Sequence, residues 1–225
     1  MRDGALNARP PPEFQVVNSC GYVDNCSASR YAAPMKQSPL TLRRWGRVEY
    51  ERLVDLGAFE NDPVELIGGQ LIVAEPKGSE HATAVDMADD ALRAALPAGW
   101  MVRGQNPLAL DDESAPEPDL AIVPGRRADY RHTHPARPVL IIEVAESSLG
   151  FDRVAKGSLY ARAGIVDYWI VNLVDRVLEV YRDPGADVTA PYGWRYTSVQ
   201  RFTPPSAVAP LEIPAAPISV AALLP

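Results

Sequence analysis

The sequence predicts a single α/β domain, a mixed β-sheet flanked by helices. Three observations predict it. Segments with a helical apolar period alternate along the chain with short β-branched runs, two of those runs are joined by Gly68-Gly69, and no internal repeat interrupts the series. With 225 residues, 47% of them hydrophobic and 23% charged, the chain has material for one core of ordinary composition and for irregular ends.

Residues 1–37 hold Pro10-Pro11-Pro12 and scattered polar groups without a periodic apolar face, so a disordered or weakly packed tail is expected there. Cys20 and Cys26 lie in it, at a spacing that suits neither a zinc knuckle nor a redox pair. The domain itself is expected over 38–202. Leu42, Trp45, Val48, Leu53 and Leu56 follow a roughly helical spacing, which predicts a helix over 40–56 stopped by Gly57. Next, Val64–Ile67 and Gln70–Val73 flank the Gly pair, whose tolerance of positive φ predicts a two-residue hairpin. Ser79 is placed to cap a helix with Val85, Ala88, Leu92 and Ala95 on one face, ended by Pro97. Short strands are expected at Trp100–Arg103, Pro107–Leu110, Asp119–Val123 and Val139–Val144. A helix over Asp152–Ala163 stops at Gly164, and strands follow at Tyr168–Asn172 and Val177–Arg182. Residues 203–225 contain six prolines and predict an extended apolar strap.

Composition narrows the function. Two Cys cannot build a disulfide framework and no secretory leader is recognisable, so a reducing, cytoplasmic setting is expected. The longest apolar run, Val139 to Ile142, is far below the ~20 residues of a membrane span. A net charge of −7 argues against a general polyanion binder, so any contact with nucleic acid must be a local patch.

Two acids stand out against apolar strands. Strand alternation puts Val139, Ile141 and Glu143 on one side of a run that is otherwise apolar on both faces. Burying that carboxylate costs several kcal/mol without a compensating cation; the alternative is a strand that ends at Glu143 with its side chain in water. Asp119, after Pro118 and before Leu120-Ala121-Ile122-Val123, is either a loop residue entering a strand or a partner of Glu143 on a shared divalent cation. Lys156 is one of only three Lys, with Lys36 and Lys77, among 22 basic residues. Four residues after Asp152, it makes either an i,i+4 ion pair or a compact positive charge over a phosphate at the site. The loop 125–137 carries four Arg against one Asp, with Arg126, Arg127 and Arg131 as candidate phosphate contacts; a solvated loop is the alternative. His132 and His134 lack a third ligand for zinc.

Taken in order, Val64-Glu65-Leu66-Ile67-Gly68-Gly69, Gln105-Asn106-Pro107, Pro118-Asp119, Glu143-Val144-Ala145-Glu146-Ser147-Ser148-Leu149, Asp152 to Lys156, Tyr160 to Gly164 and Asp167 to Asn172 resemble the Uma-two family of restriction endonucleases, in the PD-(D/E)XK nuclease superfamily. The resemblance implies a restriction-endonuclease-like fold. It also implies a metal-dependent phosphodiesterase in which Asp119, Glu143 and the Val144 carbonyl bind Mg or Mn. The superfamily's lysine two residues after the Glu is Ala145 here, and the family supplies one from the next helix, Lys156. Glu65 matches a further acidic position as a metal contact or orienting group, and His81 matches a His at a helix start. The implied partner is nucleic acid, DNA first, with a homodimer as a compatible assembly and no membrane. A catalytically silent member that binds DNA or a protein is the alternative. If Lys156 serves catalysis, Lys156→Ala should remove hydrolysis and leave folding nearly intact.

Overall fold

The computed structural model describes residues 41–60, 62–73 and 77–225. The expected tail over 1–37, with Cys20 and Cys26, lies outside them. Residues 41–46 are not helical, and the first helix is α1, Arg47–Asp55. The reason is local. Trp45 N–H bonds to Gly69 O at 2.9 Å and Arg44 Nη2 donates to Gly68 O at 2.7 Å, so this stretch lies against the hairpin. Glu49 then accepts the Gly46 N–H at 3.1 Å, which closes the start of α1. The hairpin is as the sequence predicts: β1, Val64–Ile67, pairs antiparallel with β2, Gln70–Val73, in a two-stranded sheet. Gly68 has φ 54° and Gly69 φ 77°, and a Cβ on Gly68 would stand 2.3 Å from Tyr192.

Helix α2, Ser79–Ala95, begins one residue after its cap, Gly78, rather than at a Ser79 cap. Six strands then make the main sheet in chain order: β3 Trp100–Gly104, β4 Leu120–Pro124, β5 Leu140–Ala145, β6 Asp167–Asn172, β7 Val177–Ala186 and β8 Trp194–Phe202. All neighbours are antiparallel except β5 and β6, which makes the sheet mixed. A parallel pair needs a crossover. It is supplied by α3, Leu149–Phe151, a π-helical turn over Asp152–Lys156, and α4, Gly157–Arg162. The segment Pro107–Leu110, expected as a strand, is not one. Pro107 has no N–H, while Leu108 N–H goes to Pro116 O and Ala109 N–H to Pro135 O, so this backbone is satisfied by loops. Strand β8 escaped the sequence reading because it is an edge strand with one buried residue, Tyr196, and no apolar face.

The sheet buries both faces. On one, Ala84, Val85, Ala88 and Leu92 of α2 pack on Val102, Leu120, Ile122, Leu140, Ile142, Val144, Trp169 and Val171. On the other, Tyr160 and Ala161 of α4 pack on Ala121, Ile141, Ala145, Tyr168 and Ile170. Residues 203–225 contribute more than a strap: Val208, Ile213, Ala216, Ile218, Val220, Leu223 and Leu224 are buried in the α2-side core, and Ile218 and Val208 pair in the small β9–β10 ladder (Ala207–Val208, Ile218–Ser219). Prolines keep this stretch from a regular period while its aliphatic side chains still turn inward.

Candidate active site

Alternation along β5 sends Leu140, Ile142 and Val144 towards α2 and leaves Ile141, Glu143 and Ala145 on the α4 face. In β4 the same alternation gives Ala121 to the α4 face, and Asp119 stands two residues earlier on that side. Because Leu120 pairs with Ile142, the two acids meet across adjacent strands. Asp119 N–H lies 3.3 Å from Glu143 Oε2, and Asp119 Oδ2 accepts the Val144 N–H at 2.8 Å. Both carboxylates are about 3% exposed. Both line one cavity of about 450 Å³.

The crossover carries Lys156 over this face. Its Nζ donates to Glu143 Oε1 at 2.9 Å and stands 3.6 Å from Glu65 Oε2. Asp152 instead accepts the Ser148 hydroxyl at 2.6 Å, so the i,i+4 pair is not the bond that holds Lys156. The π-helical turn is what gives this aim: it widens the helix between Asp152 and Lys156, and the Tyr168 hydroxyl donates to Asp152 O at 3.1 Å. Tyr160, one turn on, donates to the same Glu143 Oε1 at 2.8 Å. Glu65 reaches in from β1 and accepts the Glu117 N–H at 3.1 Å, which ties the hairpin to the loop that presents Asp119.

On the other side, Asp119 Oδ1 accepts from Lys77 Nζ at 2.5 Å and lies 3.3 Å from His81 Nε2, both at the start of α2. Burial works against ionisation of Asp119, yet the His81 contact and the Lys77 ammonium hold its carboxyl well below the usual carboxylate range. Glu143 goes the other way. Burial pushes it up, and Asp152, Asp119 and Glu65 add to the rise against the pull of Lys156. Burial also raises Asp152 and Glu117. Lys156 is raised in turn: burial opposes its charge, and Glu143, Glu65 and Asp152 outweigh it.

Glu65, Glu117, Asp119, Glu143, Glu146 and Asp152 line the cavity with Lys77, Lys156 and His81. That wall carries more negative charge than its two ammonium groups neutralise. Among the described residues no three His, Cys, Asp or Glu form a ready-made metal cage. The donor set suits a hard cation held by one or two carboxylates with water and phosphate oxygens completing its shell.

The structure brings together Asp119, Glu143, Val144, Lys156, Glu65 and His81. It does not bring Arg126, Arg127 and Arg131 to that cavity. Asp119 precedes β4 and the arginine loop follows it, so the strand separates them by roughly 15 Å. His132 and His134 are in that same distant loop. Lys77 and Tyr160 are the site residues that sequence reasoning missed. Lys77 had one signal, the rarity of Lys in this chain; Tyr160 entered only as part of the family pattern, without a role, and it is a core aromatic as well.

A six-stranded mixed sheet with an acid pair at adjacent strand ends and a lysine on the crossover defines a restriction-endonuclease-like nuclease fold. The chain belongs to the Uma2 family, described as "Putative restriction endonuclease", whose model matches residues 47–216. A comparison with curated proteins finds no match. Among solved structures, the chain is similar to a "putative nuclease belonging to DUF820" from Anabaena variabilis ATCC 29413, at 14% identity and a TM-score of 0.54 over 71% of this chain and 88% of that one. At that identity the likeness speaks for the fold. Among the described residues no helix is long and apolar enough to cross a membrane.

Proposed function

We propose that this chain is a metal-dependent endonuclease that hydrolyses phosphodiester bonds of nucleic acid, DNA first, with magnesium or manganese. One observation carries the reading: Lys156 reaches Glu143 and Glu65 in the cavity that Asp119 also lines, although Ala145 occupies the usual lysine position. Asp119, Glu143 and the Val144 carbonyl would hold the cation, which when bound supplies Lewis-acid polarisation of a phosphoryl oxygen and a lowered pKa for water. The protein's own groups do the rest. Lys156 offers a compact charge that offsets negative charge growing on the phosphoryl oxygens, and Glu65 and Glu143 hold it in place from two sides. Tyr160 fixes the Glu143 carboxylate; His81 and Lys77 fix Asp119. A second reading, a silent member that binds DNA or a protein, draws on the ammonium group that each carboxylate of the pair already holds, Lys77 on Asp119 and Lys156 on Glu143.

Titrating Mg²⁺ and Mn²⁺ against purified DNA with the wild type, Asp119→Asn and Lys156→Ala separates the two. Metal-dependent cleavage that drops ~100-fold or more in both variants is expected. Undiminished cleavage by Asp119→Asn sinks the assignment, and a wild type that never cleaves favours the silent reading.

A further inference from the structure

A second cavity, of about 480 Å³, runs along the free edge of β3 and across to α2, lined by residues from Met101 to Asn106 together with Arg93, Asp86 and Arg127. Its charges differ from those of the rest of the molecule. Eleven of the sixteen arginines among the described residues have a carboxylate within 4.0 Å. Of the five without one, Arg103, Arg127, Arg131 and Arg137 all belong to β3 or the β4–β5 loop, and only Arg52 lies elsewhere. Arg103 is the most telling. Its Nε is the one buried side-chain nitrogen or oxygen among the described residues that has no hydrogen-bond partner. Its guanidinium packs 5.6 Å from the Tyr130 ring centre and 3.5 Å from His134 Nδ1, so the loop braces it without neutralising it. In an acidic protein, cations left unpaired in one place mark where a polyanion supplies the counter-charge.

The place is joined to the candidate active site. Arg103 pairs in register with Ala121, so it shares the sheet face of Asp119, one strand over and two residues along. Gln105, at the other end of the cleft, donates its N–H to Asp119 O at 3.0 Å from a backbone with φ 49°, a conformation that non-glycine residues hold only where surroundings impose it. On α2, His81 faces the first cavity and Val85, one turn later, the second. The five residues of β3 span roughly 17 Å, the axial rise of about five base pairs of a duplex.

From this placement we infer that the β3-edge cleft is a track for the phosphodiester backbone of the nucleic acid, with Arg103 and Arg127 as its phosphate contacts, leading into the Asp119–Glu143 cavity. The inference rests on the nuclease reading for its substrate class and concerns binding, not hydrolysis. Arg103 and Arg127 contact phosphate, so they set affinity and its salt dependence rather than sequence choice. Two carboxylates also line the cleft: Asp89 is paired with Arg93, and Asp86, exposed and without an ion pair within 4.0 Å among the described residues, opposes the two phosphate contacts.

The test is fluorescence anisotropy of a labelled 20-nucleotide DNA, single-stranded and duplex, with the full chain in EDTA at several salt concentrations. Arg103→Gln and Arg127→Gln should each weaken binding several-fold and reduce the slope of log K against log salt by about one. Arg103→Lys should retain the slope, Asp86→Asn should tighten binding, and Arg52→Gln should change nothing. Arg127 is exposed, so its variant stays readable if Arg103→Gln fails to fold. A wild type that binds neither DNA, or cleft variants that bind like the wild type, overturn the inference. Binding that obeys these changes in a protein that never cleaves upholds the cleft and removes the nuclease reading instead.

Discussion

Lys156 is 7% exposed and lies between Glu143 and Glu65, and that burial changes what its removal should do. An exposed i,i+4 lysine would cost a few tenths of a kcal/mol. Here, Lys156→Ala leaves buried carboxylates without their cation, so a loss of about 3–5 kcal/mol is expected by thermal or urea denaturation, against the small effect the sequence alone suggests. Removing both charges should hurt less: Glu143→Gln with Lys156→Met is expected to be more stable than Lys156→Ala, and the reverse order would mean that the pair is not the anchor. Tyr160→Phe deletes one bond to a carboxylate that keeps its lysine and should cost about 1 kcal/mol. Asp119, Glu143 and Lys156 were legible because a charge inside an apolar strand, or a rare Lys, is visible in one dimension. Lys77 and Tyr160 were not, because their meaning comes from partners 42 and 17 residues away in the chain that meet them only in the fold.

At the level of elements, the crossover between β5 and β6 decides where Lys156 points, and Glu179 of β7 helps hold it there. Arg153, on the π-helical turn, makes a two-pronged contact with the Glu179 carboxylate, which Arg201 of β8, Asn172 of β6 and the Tyr181 hydroxyl also engage. Burial alone would raise Glu179, but the hydrogen bonds from Arg153, Tyr181 and Asn172 hold it down at about 2. A carboxyl depressed from 4.5 contributes stability that is present above pH 4.5 and lost as pH falls through about 2, on the order of 3 kcal/mol. Glu179→Gln should therefore flatten the acid limb of the stability profile between those pH values, measured by urea midpoints; an unchanged limb would show that this carboxylate is not the linkage. The helix was readable from its apolar period and Gly164. Its π-helical turn was not, since no residue type marks a helical turn that takes one extra residue, and the helix is too short for the resulting shift of period to be recognised.

For the molecule as a whole, the last 23 residues act as part of the core. Ile213, Ile218, Val220, Leu223 and Leu224 are each at most 7% exposed. At ~1.5–3 kcal/mol for each fully buried aliphatic side chain, their loss exceeds a typical total stability of 5–15 kcal/mol only when several go together. A chain ending at Phe202 is thus expected to lack a cooperative thermal transition by circular dichroism, while Ile218→Ala alone should cost about 2–5 kcal/mol and still fold. The α/β class and five of the six sheet strands were legible from alternation and turns; this C-terminal packing was not, because prolines erase the period by which buried residues are recognised. The parallel β5–β6 pair adds a consequence in time. A ribosome delivers Asp119 and Glu143 well before the face on which the crossover packs is complete, because β6, which adds Tyr168 and Ile170 to it, ends at Asn172. Until then the chain carries its acid pair without a lysine fastened over it. On the function proposed above, hydrolytic competence and the finished sheet should emerge together, and a prematurely terminated chain should show no cleavage.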